Sequence, residues 1–119
     1  MHELALTQPI VEIAVEKAVA AGATKISKIV IIIGTLSGAE PHAIDFCFQA
    51  LSEGTLAEGA ELLIETDHCM GTCRQCDHKF VVEKYDYACP KCDSFEIIRD
   101  GGERFYLKEI EIETFNKQN

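Results

Sequence analysis

Apolar residues recur at helical spacing over positions 4–21, with Leu6, Ile10, Ile13 and Ala14 alongside Val11, Val15 and Ala18, and with Glu12 and Glu16 falling opposite. A first helix is predicted there, and Gly22 stands just past its last periodic residue as a C-cap. Pro9 lacks an N–H and crowds the carbonyl four residues back, so it must lie in the first turns or kink them. The pattern changes at 25–34 (KISKIVIIIG), where alternation gives way to a continuous β-branched run. That reads as a strand whose far end is buried on both faces. Residues 34–38 form a loop, and Pro41 opens a second helix with Ile44, Phe48 and Leu51 as its apolar stripe. Gly54 and Gly59 bracket a short link. Two more strands follow at 60–67 (AELLIETD) and 105–115 (FYLKEIEIETF), the last with Leu107, Ile110 and Ile112 as its main apolar positions. Glu61, Glu65, Glu109, Glu111 and Glu113 alternate with apolar residues and read as solvated faces, not paired catalytic carboxylates.

The stretch between the second and third strands carries the clearest chemistry. Cys73/Cys76 and Cys89/Cys92 are two Cys-x-x-Cys pairs with twelve residues between them. Thiolates at i and i+3 on a tight turn grip one face of a metal ion, and a second such turn completes a tetrahedron. C-x2-C-x12-C-x2-C is therefore a four-thiolate zinc site, close to ribbon-type spacings. Such an excursion is improbable as a bare loop, but a metal orders it without a large core. The expected fold is α+β: a small three-stranded sheet with two helices, plus an inserted zinc-ribbon-like module. The domains would be 1–68 with 100–119, and 69–99. Cys47 reads as a small buried hydrophobe on the second helix, and Cys69 as a free thiol near the module. His42 and His68 read as surface residues, and His78 as a contact to a zinc thiolate.

Composition narrows this picture. At 119 residues there is room for one ordinary core, and 47% hydrophobic content supports it. Six cysteines fall below the roughly 8–10% of disulfide scaffolds, the opening MHELALTQPI lacks a signal-peptide pattern, and no apolar run approaches the roughly 18 residues of a membrane span. A soluble, cytoplasmic protein with reduced thiols is expected, so two disulfides in a secreted domain are disfavoured. A formal charge of −9 repels phosphate backbones. Positions 69–99 balance five cations against five acids, without the basic excess of a nucleic-acid ribbon. No nucleophile–base constellation, P-loop lysine or G-x-S-x-G elbow appears, so no enzyme is expected.

The first residues add a weaker signal. The terminal amine, the next backbone amide nitrogens and the imidazole of His2 are closely spaced donors. They can wrap a square-planar metal, the geometry that Ni(II) and Cu(II) favour. A carboxylate such as Glu3 could complete or loosen that shell.

Taken together, MHELALTQPIVE, GTLSGAEPHAIDFCF, GTLAEGAELLIE and the paired cysteines resemble the HypA/HybF family of hydrogenase maturation nickel metallochaperones, over essentially the whole chain. The resemblance implies nickel held through His2, with Glu3 and Glu40 as further ligands, and zinc held structurally by Cys73, Cys76, Cys89 and Cys92. It also implies a nickel-loading GTPase and the large subunit of a [NiFe]-hydrogenase as partners, with urease maturation as another destination and homodimerisation left open. Two departures are visible. Pro9 stands where members usually carry an ordinary helical residue, which bears on the straightness of the first helix. His78 follows Cys76 by two, but Asp93 follows Cys92, so one side only of a pH-sensitive zinc shell is represented. The rival readings are a rubredoxin-like iron electron carrier and a nucleic-acid-binding zinc ribbon.

Overall fold

The computed structural model describes residues 2–83 and 87–115, without the side chain of His2. Helix α1 spans His2–Ala20 and runs through Pro9. The proline removes the N–H that would meet the Ala5 carbonyl. Gly22, at φ 76°, turns the chain directly into β1 (Ala23–Gly34). From Ile29 onward every β1 residue is buried, as the continuous apolar run predicts. Helix α2 spans Pro41–Ser52 and buries Ile44, Cys47 and Phe48. Then follow β2 (Glu61–Asp67), β3 (Cys69–Cys73), β4 (Lys79–Val82), β5 (Ile97–Asp100) and β6 (Phe105–Thr114).

These strands make two three-stranded sheets. The first has the order β2-β1-β6, with β1 parallel to β2 and antiparallel to β6. Its inner face sets Ile26, Ile29, Ile31 and Ile33 against Ile10, Val11, Ala14 and Ala18 of α1 and Ile44 and Phe48 of α2. Both helices lie over this one face, and the other face is tied by cross-strand ion pairs, Lys108–Glu65 at 2.9 Å and Lys28–Glu111 at 3.7 Å. The alternating glutamates are thus solvent-facing, two of them paired with lysines.

The second sheet, β4-β3-β5, is antiparallel and lies within the cysteine segment. The sequence reading placed a metal-ordered module here and gave it no strands. Three segments of four or five residues are too short to show a period, and Cys-Met-Gly-Thr-Cys has little β-branched content. Gly71 lies at the centre of this sheet because a Cβ there would strike Val82, Ile97 and Phe80.

A narrow junction joins the two sheets. Asp67 accepts the Gly102 N–H at 2.8 Å and the Arg104 Nε–H at 3.3 Å, and the Gly34 and Leu36 N–H groups reach the Arg104 and Gly102 carbonyls, each at 2.6 Å. The result is elongated, 63 × 34 × 17 Å. Its radius of gyration is 18.6 Å, against about 13.5 Å for one globular body of this length.

Helix α2 begins with an unusual cap. Pro41 has no N–H to satisfy, and the Glu40 carboxylate accepts from His42 and Ala43 at 3.1 and 2.9 Å. Glu40→Ala should therefore cost about 1 kcal/mol, the ordinary value of an N-cap, read as a shift in the urea midpoint with unchanged slope.

Candidate metal centres

The two cysteine turns fold in the same way, sixteen positions apart. In the first, the Cys73 N–H meets the His78 carbonyl at 2.9 Å, the Asp77 N–H meets the Cys73 carbonyl at 2.9 Å, and the Gln75 N–H points at the Cys73 sulfur at 3.4 Å. In the second, Cys89 pairs with Ser94 at 2.8 Å, Asp93 with Cys89 at 2.8 Å, and the Lys91 N–H reaches the Cys89 sulfur at 3.3 Å. Asp77 (φ 63°) and Asp93 (φ 66°) both adopt the left-handed conformation that closes each turn. Aspartate tolerates that region better than most residues. Sequence reasoning noted Asp93 only as the absence of a histidine. The repeated Cys-x-x-Cys-Asp was the signal for its role.

The turns face each other and bring the four sulfurs within 4.8 Å of one another. Cys73 Sγ lies 3.6 Å from Cys92 Sγ, and Cys76 Sγ lies 3.7 Å from Cys89 Sγ. A tetrahedron with metal–sulfur bonds of about 2.3 Å has edges of about 3.8 Å, whereas a disulfide would need about 2.05 Å. The spacing fits four thiolates around one metal ion and does not fit two disulfides.

Electrostatics agree with a cationic occupant. Burial opposes ionisation of the Cys73 thiol, but backbone N–H donors at Cys76 and Gln75, helped by Cys92, outweigh it and hold the pKa at about 7. For Cys92, the Ser94 N–H favours the thiolate. Loss of water around the sulfur and the three neighbouring sulfurs prevail, and the pKa is pushed up to about 12. Cys76 is also raised: the His78 N–H favours its thiolate, but desolvation and its sulfur neighbours on balance oppose it. Four thiolates cannot share this space without a compensating charge. Metal binding must therefore release protons from the cluster.

The other cysteines and histidines take no part in this cluster. Cys47 is buried on α2, and Cys69 is 1% exposed at the start of β3, against Gly102. His42 and His68 are exposed. The His78 ring stacks on Phe80 with centroids 5.8 Å apart. Its contact to the Cys76 sulfur is made by the backbone N–H, not by the imidazole.

A second group of predicted residues meets at the starts of α1 and α2. Glu3 Oε2 accepts the Glu40 N–H at 3.2 Å, joining residues 37 positions apart. Met1 and the imidazole of His2 lie outside the described residues. The His2 and Glu3 amides open α1, where N–H groups have no intrahelical acceptor. They can lose protons to a metal without breaking the helix. Two helix N-termini each present about half a positive charge, and the Glu3 and Glu40 carboxylates offset it.

Among the described residues no helix is long and apolar enough to cross a membrane. A family model described as hydrogenase/urease nickel incorporation, metallochaperone, hypA matches residues 1–112. The hydrogenase maturation factor HypA of Geotalea uraniireducens (strain Rf4) is 40% identical over 113 residues, covering 95% of this chain and all of that protein. Its counterpart from Geobacter metallireducens is 42% identical over the same length and the same coverage. Among solved structures, the solution structure of the Ni metallochaperone HypA from Helicobacter pylori is similar, with TM-score 0.65 and 26% identity over 95% of this chain and 98% of that one.

Proposed function

The chain belongs to the HypA family of hydrogenase and urease nickel-incorporation metallochaperones, and from that premise we propose where it carries its cargo. Nickel is taken at the start of α1 by the terminal amine, the first backbone amides and the imidazole of His2, with Glu3 and Glu40 beside them. The observation that carries this reading is the Glu3–Glu40 hydrogen bond, which brings both acidic residues to the chelating end of the chain. Glu40 caps its own helix with both oxygens, each of which keeps a second lone pair that can face nickel. Such a shell is moderate in affinity and releases its metal to a better site. That is the requirement of a carrier, and nothing in the site calls for catalysis.

Zinc, held by Cys73, Cys76, Cys89 and Cys92, supplies a fixed crosslink between the two turns. The division into 1–68 with 100–119 and 69–99 is supported by the two sheets and their narrow junction. As a member of a hydrogenase maturation family, the protein works with that machinery. A nickel-loading GTPase and the [NiFe]-hydrogenase large subunit are the proposed donor and acceptor, in the cytoplasm.

Nickel titration by calorimetry, with metal analysis, tests the terminal site. His2→Ala should weaken nickel by about a hundredfold, since loss of a ligand exceeds the 10–100-fold effect of an outer contact, and zinc content should not change. Affinity should also fall from about pH 8 to about pH 5.5, because the amine (reference about 7.7–8.0) and imidazole (about 6.5) must shed protons to bind. Equal affinity at those pH values, or loss of both metals in His2→Ala, would sink the two-site reading.

A further inference from the structure

β6 is an edge strand. In the order β2-β1-β6 it pairs inward with β1, and among the described residues no strand pairs with its outer side. On either side of a bulge at Lys108, alternate N–H and C=O groups therefore face outward without a ladder partner. A groove of about 460 Å³ runs between this strand and α1, lined by Pro9, Ile13 and Lys17 on the helix and by Phe105, Tyr106 and Leu107 on the strand. Ile13 is 41% exposed and Tyr106 45%, so apolar surface is open to solvent at its walls.

The two faces of β6 differ in charge. Phe105, Leu107, Ile110 and Ile112 point to the helix side and pack on the core. Glu109, Glu111 and Glu113 are exposed on the other face, where Lys108 is already paired with Glu65 and Glu111 with Lys28.

We propose that an extended segment of a partner protein, alternating apolar and basic residues, adds to β6 as a fourth strand. Its main chain meets the outward N–H and C=O groups, and its apolar side chains enter the groove beneath α1. Its lysines or arginines lie beside Glu109 and Glu113. A second copy of the chain is disfavoured as occupant, because β6 against β6 would bring the glutamates of both strands together. A helix in the groove would leave the edge groups unmet.

The test uses the zinc-loaded full chain, isotopically labelled, and a blocked peptide of alternating valine and lysine. Saturable shifts are expected at Ile13 and along 105–114, with slowed hydrogen exchange of the outward β6 amides. Ile13→Asp, at an exposed position, and the double variant Glu109→Lys/Glu113→Lys should each weaken the peptide about tenfold or more while their free spectra report an intact fold. A valine–glutamate or glycine–lysine peptide should not saturate. No saturation by valine–lysine at about 1 mM, equal binding of the control peptides, or shifts confined elsewhere would overturn the proposal. So would concentration-dependent dimerisation of the free chain through the same amides.

Discussion

Cys73→Ala will leave the proposed zinc site empty and the chain without the β3–β5 sheet, while α1, β1 and α2 keep their structure. Cys73 is fully buried at the end of β3, and its sulfur forms the 3.6 Å edge with Cys92. Removing it leaves three thiols, and at Cys76 and Cys92 desolvation and the Cys89 sulfur still oppose ionisation. A zinc ion held there would contribute the largest free energy in this part of the molecule, about 10–16 kcal/mol for structural zinc in small modules near neutral pH. Little else there could replace it. Among the described residues, Val82 and three of the module's cysteines are its buried apolar ones, and a segment of this size rarely folds on so small a core. Metal analysis should show zinc lost, and amide spectra should lose dispersion for 69–83 and 87–100 alone. Retained dispersion in a zinc-free variant would show that the sheet folds without the metal.

Gly102→Ala should cost about 2–5 kcal/mol, the sum of backbone strain and overpacking. Gly102 has φ 91°, where a Cβ is strained at about 1–2 kcal/mol. The same Cβ would sit 2.5 Å from Cys69 Cβ and 3.0 Å from the Cys69 backbone, so overpacking adds about 1–3 kcal/mol. The carbonyl of Gly102 also holds Leu36, and its N–H meets Asp67, so the clash cannot be relieved without loosening the junction. Gly54→Ala is the control: φ is 78°, but nothing lies within 4 Å of the added atom. It should cost about 1 kcal/mol. Urea denaturation of the two variants separates strain from collision; equal midpoints would mean the junction yields freely.

The helices, β1, β2 and β6 were legible in the sequence because each carries its own period or its own punctuation. Gly22 and Pro41 mark a helix end and a helix start, and the Ile29–Ile33 run marks the most buried strand. The four cysteines were legible because their spacing is a statement of geometry. The parallel pairing of β1 with β2 had no local signature, since it depends on how far α2 carries the chain. The short strands β3, β4 and β5 had no period to read. The Glu3–Glu40 contact joins residues 37 apart in sequence, and only the packing of α1 against α2 makes them neighbours.

β6 supplies Phe105, Leu107, Ile110 and Ile112 to the main core, yet it is the last of the described elements. Until β6 docks, β1 is paired on one side only. A closed module shortens the loop that β6 must span: the β3–β5 pairing sets Asp100 beside Met70, so the chain returns to the first sheet close to where it left it.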